Sequence, residues 1–560
     1  MARSAELRPP HLVLFICLGI VVWILMRLIW VGVINANTYS AQAEETRTIT
    51  VETTAKRGTI YDRNGIVLAA SVDATTIYCN PTEIEDADYV AGVLVEVLGG
   101  AKDDYTSALR TANTTFAYIK RQGDVDVAKT LKERVSNDEK LTGIYFLSDT
   151  KRQYPNGQVG GQIIGMCDPD GNGVCGLEKQ YDDILKGENG SYKAEHSAAG
   201  NQIPGAVKED KAATPGQDIM ISIDISCQAE VENYLSSYLE RIGSEKGSVV
   251  LMDSSNGEIY AACSYPYFDP SNPQDSITGS ETVLSISNAF EPGSTMKTVS
   301  ALGILEAGAM GPSDSVYCPV SIAADEYTIS DAYERGGQTM TLDQILTRSS
   351  NVGISLASDK IGQSKIYENL LKSKVLEKTG IDFPGEAKGY VSDVSKWSTI
   401  QRYNVTFGQG ITVAPIALLR FYAALANDGT AVTPHFLISK TQSAEYATYE
   451  TENLGYSSES LSDIKAMLQN VVDNNTENQA GVDGYQICGK TSTAEYVGDD
   501  GKYVSGRYNL GFAGFINNAS TKLACYVGAM NVGIESNVTS VFGNIMSSAI
   551  TRYKIVPNAS

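Results

Sequence analysis

The first marked feature of the hydrophobic pattern is a long apolar run near the N-terminus. Residues 12–34 are apolar except for one arginine, and 23 residues suffice for one helix to cross a bilayer. Arg3 and Arg8 precede this run, and the next basic residue after it is Arg47. Because basic residues concentrate on the cytoplasmic side, the pattern predicts a cytoplasmic tail at 1–11, a membrane helix and an extracytoplasmic remainder.

Polar and apolar positions divide the rest of the chain into two mixed segments, of which the first is 45–210. In this segment, alternation within 57–80 predicts two strands around a turn at Asn64 and Gly65. Residues 84–135 have a helical and loop-rich pattern. The polar stretch 195–215 predicts a linker between the two segments.

The second segment, 216–555, begins and ends with strand patterns and has helical patterns between them. The predicted strands are 218–224, 247–253, 258–263, 485–496, 508–516 and 523–531. The predicted helices are 294–308, 342–361, 411–427 and 460–473. Strands at both ends with helices between them predict an α+β domain whose sheet is built from the two ends of the segment.

One predicted helix is apolar on nearly every side and begins with a serine. Pro292 and Gly293 mark its start, and its apolar residues are typical of a buried helix. Ser294 and Lys297 are one turn apart on the same face, which brings the amine beside the hydroxyl. Burial lowers the pKa of a lysine, so Lys297 can act as a base for Ser294. Backbone N–H groups at the helix start can stabilise an oxyanion.

Composition excludes several other chemistries. The 44 Lys and Arg and the 66 Asp and Glu give a net charge of −22, without a long basic run, which argues against nucleic acid as a partner. The three histidines are isolated and no Cys–His ligand spacing occurs, so we expect no metal and no other cofactor. Cys167 and Cys175 are close enough in sequence to pair, but the favoured interpretation is that the nine cysteines are unpaired apolar residues.

Two further short patterns belong to the candidate site. Residues 349–351 read Ser-Ser-Asn, and residues 490–492 read Lys-Thr-Ser in a strand-like run. A lysine on a sheet edge that faces the serine helix can bind a substrate carboxylate. A rival Lys-Thr-Gly at 378–380 has loop-like surroundings, and a second Ser-x-x-Lys at Ser462 and Lys465 lies on a polar helix face. We therefore favour Lys490 and interpret both rivals as structural.

A series of segments, ordered along nearly the whole chain, resembles the class B penicillin-binding proteins, which are membrane-anchored peptidoglycan transpeptidases. The segments are RGTIYDRNGIVLA (57–69), DGNGVCGLEKQYDDILKGENG (170–190), ISIDISCQAE (221–230), GEIYAACSYPYFDPSNP (257–273), FEPGSTMK (290–297), SSN (349–351), TGIDFPGE (379–386), FGQGITVAP (407–415) and GKTSTAEY (489–496). The segment TGIDFPGE overlaps the rival lysine pattern and matches a family segment of its own, which again favours Lys490.

The resemblance implies a fold and four catalytic roles. It implies an elongated pedestal, or dimerisation-type, domain at 45–210. It also implies a serine β-lactamase/transpeptidase-like domain at 216–555, with an antiparallel sheet flanked by helices. Ser294 would be the acylated nucleophile and Lys297 its base. Ser349 would relay a proton, and Asn351 would hold the substrate backbone.

The same resemblance implies roles for the strand-like run. Lys490 and Thr491 would orient the terminal carboxylate of the peptide. The N–H groups of Ser294 and Thr493 would form the oxyanion hole. Ser492 stands where the family normally has glycine. We expect this serine to share the side of Lys490 on the strand and to leave the catalytic groups in place.

The resulting hypothesis is a single-pass cell-membrane D,D-transpeptidase that cross-links peptidoglycan stem peptides and is inhibited by β-lactams. The resemblance implies a role in division or spore cell-wall synthesis. No glycosyltransferase domain fits before residue 216, so the hypothesis includes a separate glycosyltransferase partner. Two alternatives stay open on the same fold: a D,D-carboxypeptidase or β-lactamase, and a non-catalytic β-lactam sensor or scaffold.

Overall fold

The structure is a computed structural model that forms two units. It describes residues 9–39, 48–112, 114–196, 202–443, 445–474, 479–498, 501–533 and 536–558. The first unit comprises Met1–Lys56 with Gly187–Pro215, and the second comprises Arg57–Lys186 with Gly216–Ser560. The nine cysteines, which all lie in described residues, form no disulfide, as the favoured interpretation predicts.

The first unit contains an apolar helix and a small sheet. The helix Pro9–Ile29 continues as the five-residue π-helix Trp30–Ile34. Its stretch Leu12–Ile34 has a mean hydropathy of 2.8 and is, within the described ranges, the one helix long and apolar enough to cross a membrane. The predicted apolar helix is therefore confirmed. The antiparallel strands of the sheet are Thr48–Thr53, Gly190–His196 and Gln202–Lys211.

The linker predicted at 195–215 is wrong for most of its length. Gln202–Lys211 is a strand that pairs with Gly190–His196, whereas residues 197–201 lie outside the described residues. The segment is polar and contains proline and glycine, which singly favour turns. Pairing with a neighbouring strand satisfies its backbone N–H and C=O groups and outweighs those local preferences.

The second unit begins with the predicted hairpin, Ile60–Tyr61 and Val67–Cys79, around Asn64 and Gly65. Asp62 stabilises this turn, because its Oδ1 accepts hydrogen bonds from the backbone N–H groups of Asn64 and Ile66, both at 2.8 Å. The hairpin belongs to a seven-stranded sheet. The other strands of this sheet are Ala117–Gly123, Ile144–Gln153, Ile219–Ile221, Leu437–Lys440 and Glu445–Tyr446.

Helices cover part of this early segment. They are Ala87–Leu98, Lys102–Leu109, Val125–Asn137, Gly161–Ile164, Gly176–Gln180 and Asp182–Leu185. The helical, loop-rich pattern predicted at 84–135 agrees with the helices Ala87–Leu98, Lys102–Leu109 and Val125–Asn137, but the strand Ala117–Gly123 was not predicted. That strand is stabilised by its pairing with Val67–Cys79, a partner distant in sequence.

The central sheet has five antiparallel strands and is built from the two ends of the second segment, as predicted. In spatial order the strands are Ile259–Tyr265, Lys246–Asp253, Leu523–Val532, Tyr503–Ile516 and Ile487–Val497. Ile487–Val497 is an edge strand, and it contains Lys490 of the candidate site.

Helices cover both faces of the central sheet. Side chains alternate along each strand, so each strand contributes to an apolar core on both faces. Val249 and Leu251 belong to one apolar core and Val250 and Met252 to the other. The first core includes residues of the flanking helices Ile225–Ile242 and Thr539–Arg552. The second includes residues of the helices between the strands, namely Met296–Glu306, Leu342–Thr347, Asn351–Asp359, Gly362–Lys372, Thr399–Phe407, Pro415–Ala426 and Ser458–Asp473.

The helix predicted at 342–361 is wrong in its middle. It divides into Leu342–Thr347 and Asn351–Asp359, and Ser349 between them has a φ of 54°. Ser350 caps the second helix, because its side chain accepts a hydrogen bond from the N–H of Gly353 at 2.9 Å. A serine side chain competes with helix continuation by bonding to nearby backbone, so the helix restarts here.

A close approach of two glycines holds the turn before Ser294. The N–H of Gly293 donates to the carbonyl of Gly408 at 3.0 Å. Gly408 has a φ of 86°, and a Cβ atom there would lie 2.1 Å from the carbonyl oxygen of Gly293. Only glycine fits this contact, which fixes the end of Thr399–Phe407 against the start of the serine helix.

Candidate active site

Ser294 lies in the single 3-10 turn Gly293–Thr295, which leads directly into the helix Met296–Glu306. The Ser294 side chain is partly exposed, whereas Lys297 is completely buried. The Lys297 Nζ lies 3.0 Å from the Ser294 Oγ. The one-turn spacing in the sequence therefore places the amine beside the hydroxyl, as predicted.

The interrupted helix brings Ser349 and Asn351 to the same amine. The Lys297 Nζ donates to the Ser349 carbonyl at 2.6 Å and to the Asn351 Oδ1 at 2.7 Å. The Ser349 Oγ lies 2.9 Å from the Ser294 Oγ and 3.1 Å from the Lys297 Nζ. The Ser349 hydroxyl thus contacts both Ser294 and Lys297.

Lys490 reaches this cluster from the edge strand of the central sheet. Its side chain is buried, and its Nζ donates to the Ser349 Oγ at 3.1 Å. Lys378 instead lies exposed in a loop, where the neighbouring Thr379 bonds to Glu386. Lys490, the lysine that the sequence favoured, therefore contacts the cluster around Ser294, and Lys378 lies outside it.

The residues after Lys490 alternate between the two sides of the strand. Thr491 is half-buried, with its Oγ1 3.4 Å from the Lys490 Nζ, and Thr493 is exposed. Ser492 is buried on the side of Lys490, as predicted. Its hydroxyl donates to the carbonyl of Pro292, which also accepts a hydrogen bond from the Thr295 Oγ1 at 2.7 Å. Ser492 therefore links the edge strand to the turn that carries Ser294.

Comparison with known proteins identifies the family. The penicillin-binding protein transpeptidase domain matches residues 247–548, and the penicillin-binding protein dimerisation domain matches residues 52–221. The chain belongs to the penicillin-binding protein transpeptidase family. Both matches agree with the resemblance seen in the sequence, and the candidate site lies wholly within the transpeptidase match.

Relatives of this penicillin-binding protein match it over most of its length. It is 28% identical over 554 residues to peptidoglycan D,D-transpeptidase FtsI of Escherichia coli (strain K12), covering 96% of this chain and 90% of that protein. It is 26% identical over 569 residues to stage V sporulation protein D of Bacillus subtilis (strain 168), covering 97% and 86%. The solved structure of penicillin-binding protein 2X from Streptococcus thermophilus has the same fold, with a TM-score of 0.74, 22% identity, and coverage of 90% of this chain and 80% of that one.

Burial sets the electrostatics of the two lysines in this penicillin-binding protein. Burial lowers the pKa of Lys297 well below its usual value, and the nearby charge of Lys490 lowers it further, while the carboxylate of Asp331 raises it. Burial also lowers the pKa of Lys490, to about 7. A neutral Lys297 amine has a free lone pair and can accept a proton from Ser294.

A carboxylate close to the serine turn, that of Glu291, was not predicted as part of the site. The Glu291 carboxylate accepts hydrogen bonds from the N–H of Gly410 at 2.8 Å and from the Tyr503 hydroxyl at 3.0 Å. Burial raises the pKa of Glu291. These contacts hold the Ser294 turn between the segment after Thr399–Phe407 and the strand Tyr503–Ile516. No periodicity in the sequence signals them, because they join segments that are far apart along the chain.

Asp331 and Arg335 were also not predicted as part of the site, although their side chains contact the Ser350 hydroxyl. They follow the short strand Tyr327–Ser330 in a stretch without a clear sequence pattern.

Within the part of the chain that the structure describes, no group of three or more His, Cys, Asp or Glu side chains is arranged to hold a metal ion.

The contact of Ser492 with Pro292 leads to a first prediction. Ser492→Gly removes one hydrogen bond, but the Pro292 carbonyl keeps its bond from Thr295 and the catalytic groups stay in place. We expect the acylation rate constant for a chromogenic β-lactam, measured by stopped flow, to change by less than about tenfold, or roughly 1.4 kcal/mol. Ser492→Ala, which keeps the Cβ atom, serves as the control. A gain of about a hundredfold or more would show that the serine impairs the enzyme.

Proposed function

We propose that this protein is a peptidoglycan D,D-transpeptidase that cross-links stem peptides through an acyl-enzyme on Ser294 and is inhibited by β-lactams. The observation that carries the proposal is the convergence of three groups. The Ser294 hydroxyl lies 3.0 Å from the amine of Lys297 and 2.9 Å from the hydroxyl of Ser349. Family membership and the relative named as a D,D-transpeptidase support this reaction class.

Acylation begins with proton transfer from Ser294 to the neutral Lys297 amine. The Ser294 Oγ attacks the carbonyl carbon of the penultimate D-alanine, and the peptide bond to the terminal D-alanine breaks. Ser349 relays the proton to the departing amine, since its hydroxyl contacts both Ser294 and Lys297. An amine from a neighbouring stem peptide then attacks the carbonyl carbon of the acyl-enzyme. The ester bond to Ser294 breaks, the proton of the amine passes to the Ser294 oxygen, and the cross-link is formed.

The edge strand Ile487–Val497 provides the substrate side of the proposal. Within the described residues no strand pairs with its outer edge, so an extended peptide can add there. Lys490 and Thr491 bind the terminal carboxylate, and Asn351 holds the substrate backbone. The N–H groups of Ser294 and Thr493 stabilise the oxyanion.

Anchoring and domain organisation are also part of the proposal. The helix Leu12–Ile34 anchors the protein in the cell membrane with the tail 1–11 in the cytoplasm, and basic residues before the helix support this orientation. The pedestal domain covers 45–210 and the transpeptidase domain 216–555. A separate glycosyltransferase polymerises the glycan, and the sporulation relative supports a role in septal or spore-wall synthesis.

The second prediction tests the nucleophile. We expect labelled penicillin to acylate Ser294, as identified by mass spectrometry of the adduct, and Ser294→Ala to abolish labelling. Ser462→Ala is a matched control, because Lys465 of this second Ser-x-x-Lys pattern pairs with Asp428 at 2.7 Å instead of with the exposed Ser462. Label on Ser462, or label that persists in Ser294→Ala, would refute the assignment.

The third prediction separates the two lysine candidates. Lys490→Ala removes the buried cation beside Ser349, and we expect acylation to slow by about 10²–10³-fold, as for loss of one electrostatic contact in a dry site. Lys378→Ala is the control and should leave acylation nearly normal, because this lysine is exposed in a loop. Stopped-flow acylation measures both variants. Equal losses would contradict the assignment of Lys490.

The fourth prediction concerns topology. If the proposed orientation is correct, protease added to cell-wall-free cells should degrade the chain beyond about Asn35. A cytoplasmic protein in the same cells is the control and should stay intact. Protection of the transpeptidase domain would show that the orientation is reversed.

A further inference from the structure

Asp331 faces the turn that carries Ser349 and Asn351, although it belongs to a different part of the chain. It follows the strand Tyr327–Ser330, which pairs with Ser321–Ala324. Its Oδ1 accepts a hydrogen bond from the N–H of Val352 at 2.9 Å, and its Oδ2 accepts one from the Ser350 hydroxyl at 2.8 Å. The side chain of Asp331 is nine-tenths buried.

Arg335 holds this carboxylate in place. Its Nε donates to the Asp331 Oδ2 in an ion pair, and its Nη1 donates to the carbonyl of Cys318 at 3.1 Å. Its Nη2 lies 3.3 Å from the Ser350 Oγ. We name Asp331 and Arg335 together the acid–arginine clamp. Both side chains of the clamp therefore contact Ser350, the residue between Ser349 and Asn351.

The turn needs such support for two physical reasons. Ser349 has a φ of 54°, a left-handed conformation that is unfavourable for any residue other than glycine. The helix that begins at Asn351 also starts with backbone N–H groups that have no partner within the helix. Asp331 and Ser350 bond two of these groups, those of Val352 and Gly353. A further bond joins the Asn351 Nδ2 to the carbonyl of Ser330 at 3.1 Å.

We propose that Asp331 is a positioning residue for acyl transfer, which keeps the Ser349 hydroxyl and the Asn351 amide oxygen on the Lys297 amine. It touches none of the reacting atoms and acts through the start of the helix Asn351–Asp359. This inference rests on the proposed function at Ser294. It also explains what holds the turn that carries Ser349 and Asn351.

The charge of Asp331 gives the role a signature that a merely structural residue lacks. Two charged groups act on the Lys297 amine: Lys490 from the edge strand, which lowers its pKa, and Asp331, which raises it. Arg335 is the ion-pair partner of Asp331, and the other groups on the amine, Ser294, Ser349 and Asn351, are uncharged. Removal of the Asp331 charge therefore lowers the pKa of Lys297. The neutral base then persists to lower pH.

The test measures acylation of the full-length protein by a chromogenic β-lactam as a function of pH. In Asp331→Asn an amide oxygen can still accept a hydrogen bond from the N–H of Val352, so the plateau of the acylation rate should stay within about tenfold of the wild-type value. The acidic limb of the pH–rate profile should move to lower pH. In Asp331→Ala the turn loses its acceptor, and the plateau rate should fall by about 10²-fold, as expected for misplaced catalytic groups. Asp86→Asn, at the cap of the distant helix Ala87–Leu98, should leave both quantities unchanged.

The outcomes separate this inference from the function on which it rests. A wild-type protein that is not acylated at Ser294 would overturn the proposed function itself. A normally acylated wild type overturns only the role of Asp331 if the acidic limb of Asp331→Asn stays in place or moves to higher pH. A plateau rate for Asp331→Ala that equals that of the wild type would overturn it too. If Asp331→Ala does not fold, as judged by thermal unfolding, the limb of Asp331→Asn decides.

Discussion

The arrangement of the site depends on the burial of one amine, the Lys297 Nζ, under the Ser294 hydroxyl. Moving a charged ammonium into the protein interior is costly unless a counter-charge binds it directly. The hydrogen-bond partners that the structure records for this amine are Ser294, Ser349 and Asn351, all uncharged. The neutral amine is therefore favoured, and a neutral amine can remove the proton from Ser294.

Several parts of the chain have to meet around that amine. The serine turn is fixed by the contact of Gly293 with Gly408. The central sheet joins the start and the end of the transpeptidase segment, and this brings Lys490 to the Ser349 hydroxyl. Ser492 adds a bond between the same strand and Pro292. Together these segments surround Lys297, which is completely buried.

The part of the site that could be predicted from the sequence is the part that depends on local spacing. Ser294 and Lys297 are one helical turn apart, and the apolar residues around them show that the helix is buried. Lys490 could be distinguished from Lys378 because strand patterns surround the first and loop residues the second. A sheet that joins the two ends of the segment could likewise be predicted, although the strand predicted at 218–224 forms as Ile219–Ile221 and belongs to the seven-stranded sheet instead.

The features that could not be predicted depend on contacts between distant segments. The break at Ser349 was missed because helical patterns lie on both sides of it, although residues 347–351 contain no apolar residue and the two adjacent serines were a signal for a cap. Asp331 acts on the turn through a fold-dependent contact that no spacing reveals. The strand Gln202–Lys211 was missed for the same reason, because its partner Gly190–His196 outweighs its turn-forming composition.

The most direct test of the neutral Lys297 base is the pH dependence of Ser294 acylation in the wild type and in Lys490→Ala. The acidic limb reports the pKa of the free enzyme's base. We expect a midpoint well below about 10.4, the usual value for lysine, and a shift of that midpoint to higher pH in Lys490→Ala, because the nearby cation is lost. A midpoint at the usual lysine value, or a shift to lower pH in the variant, would contradict a neutral Lys297 base.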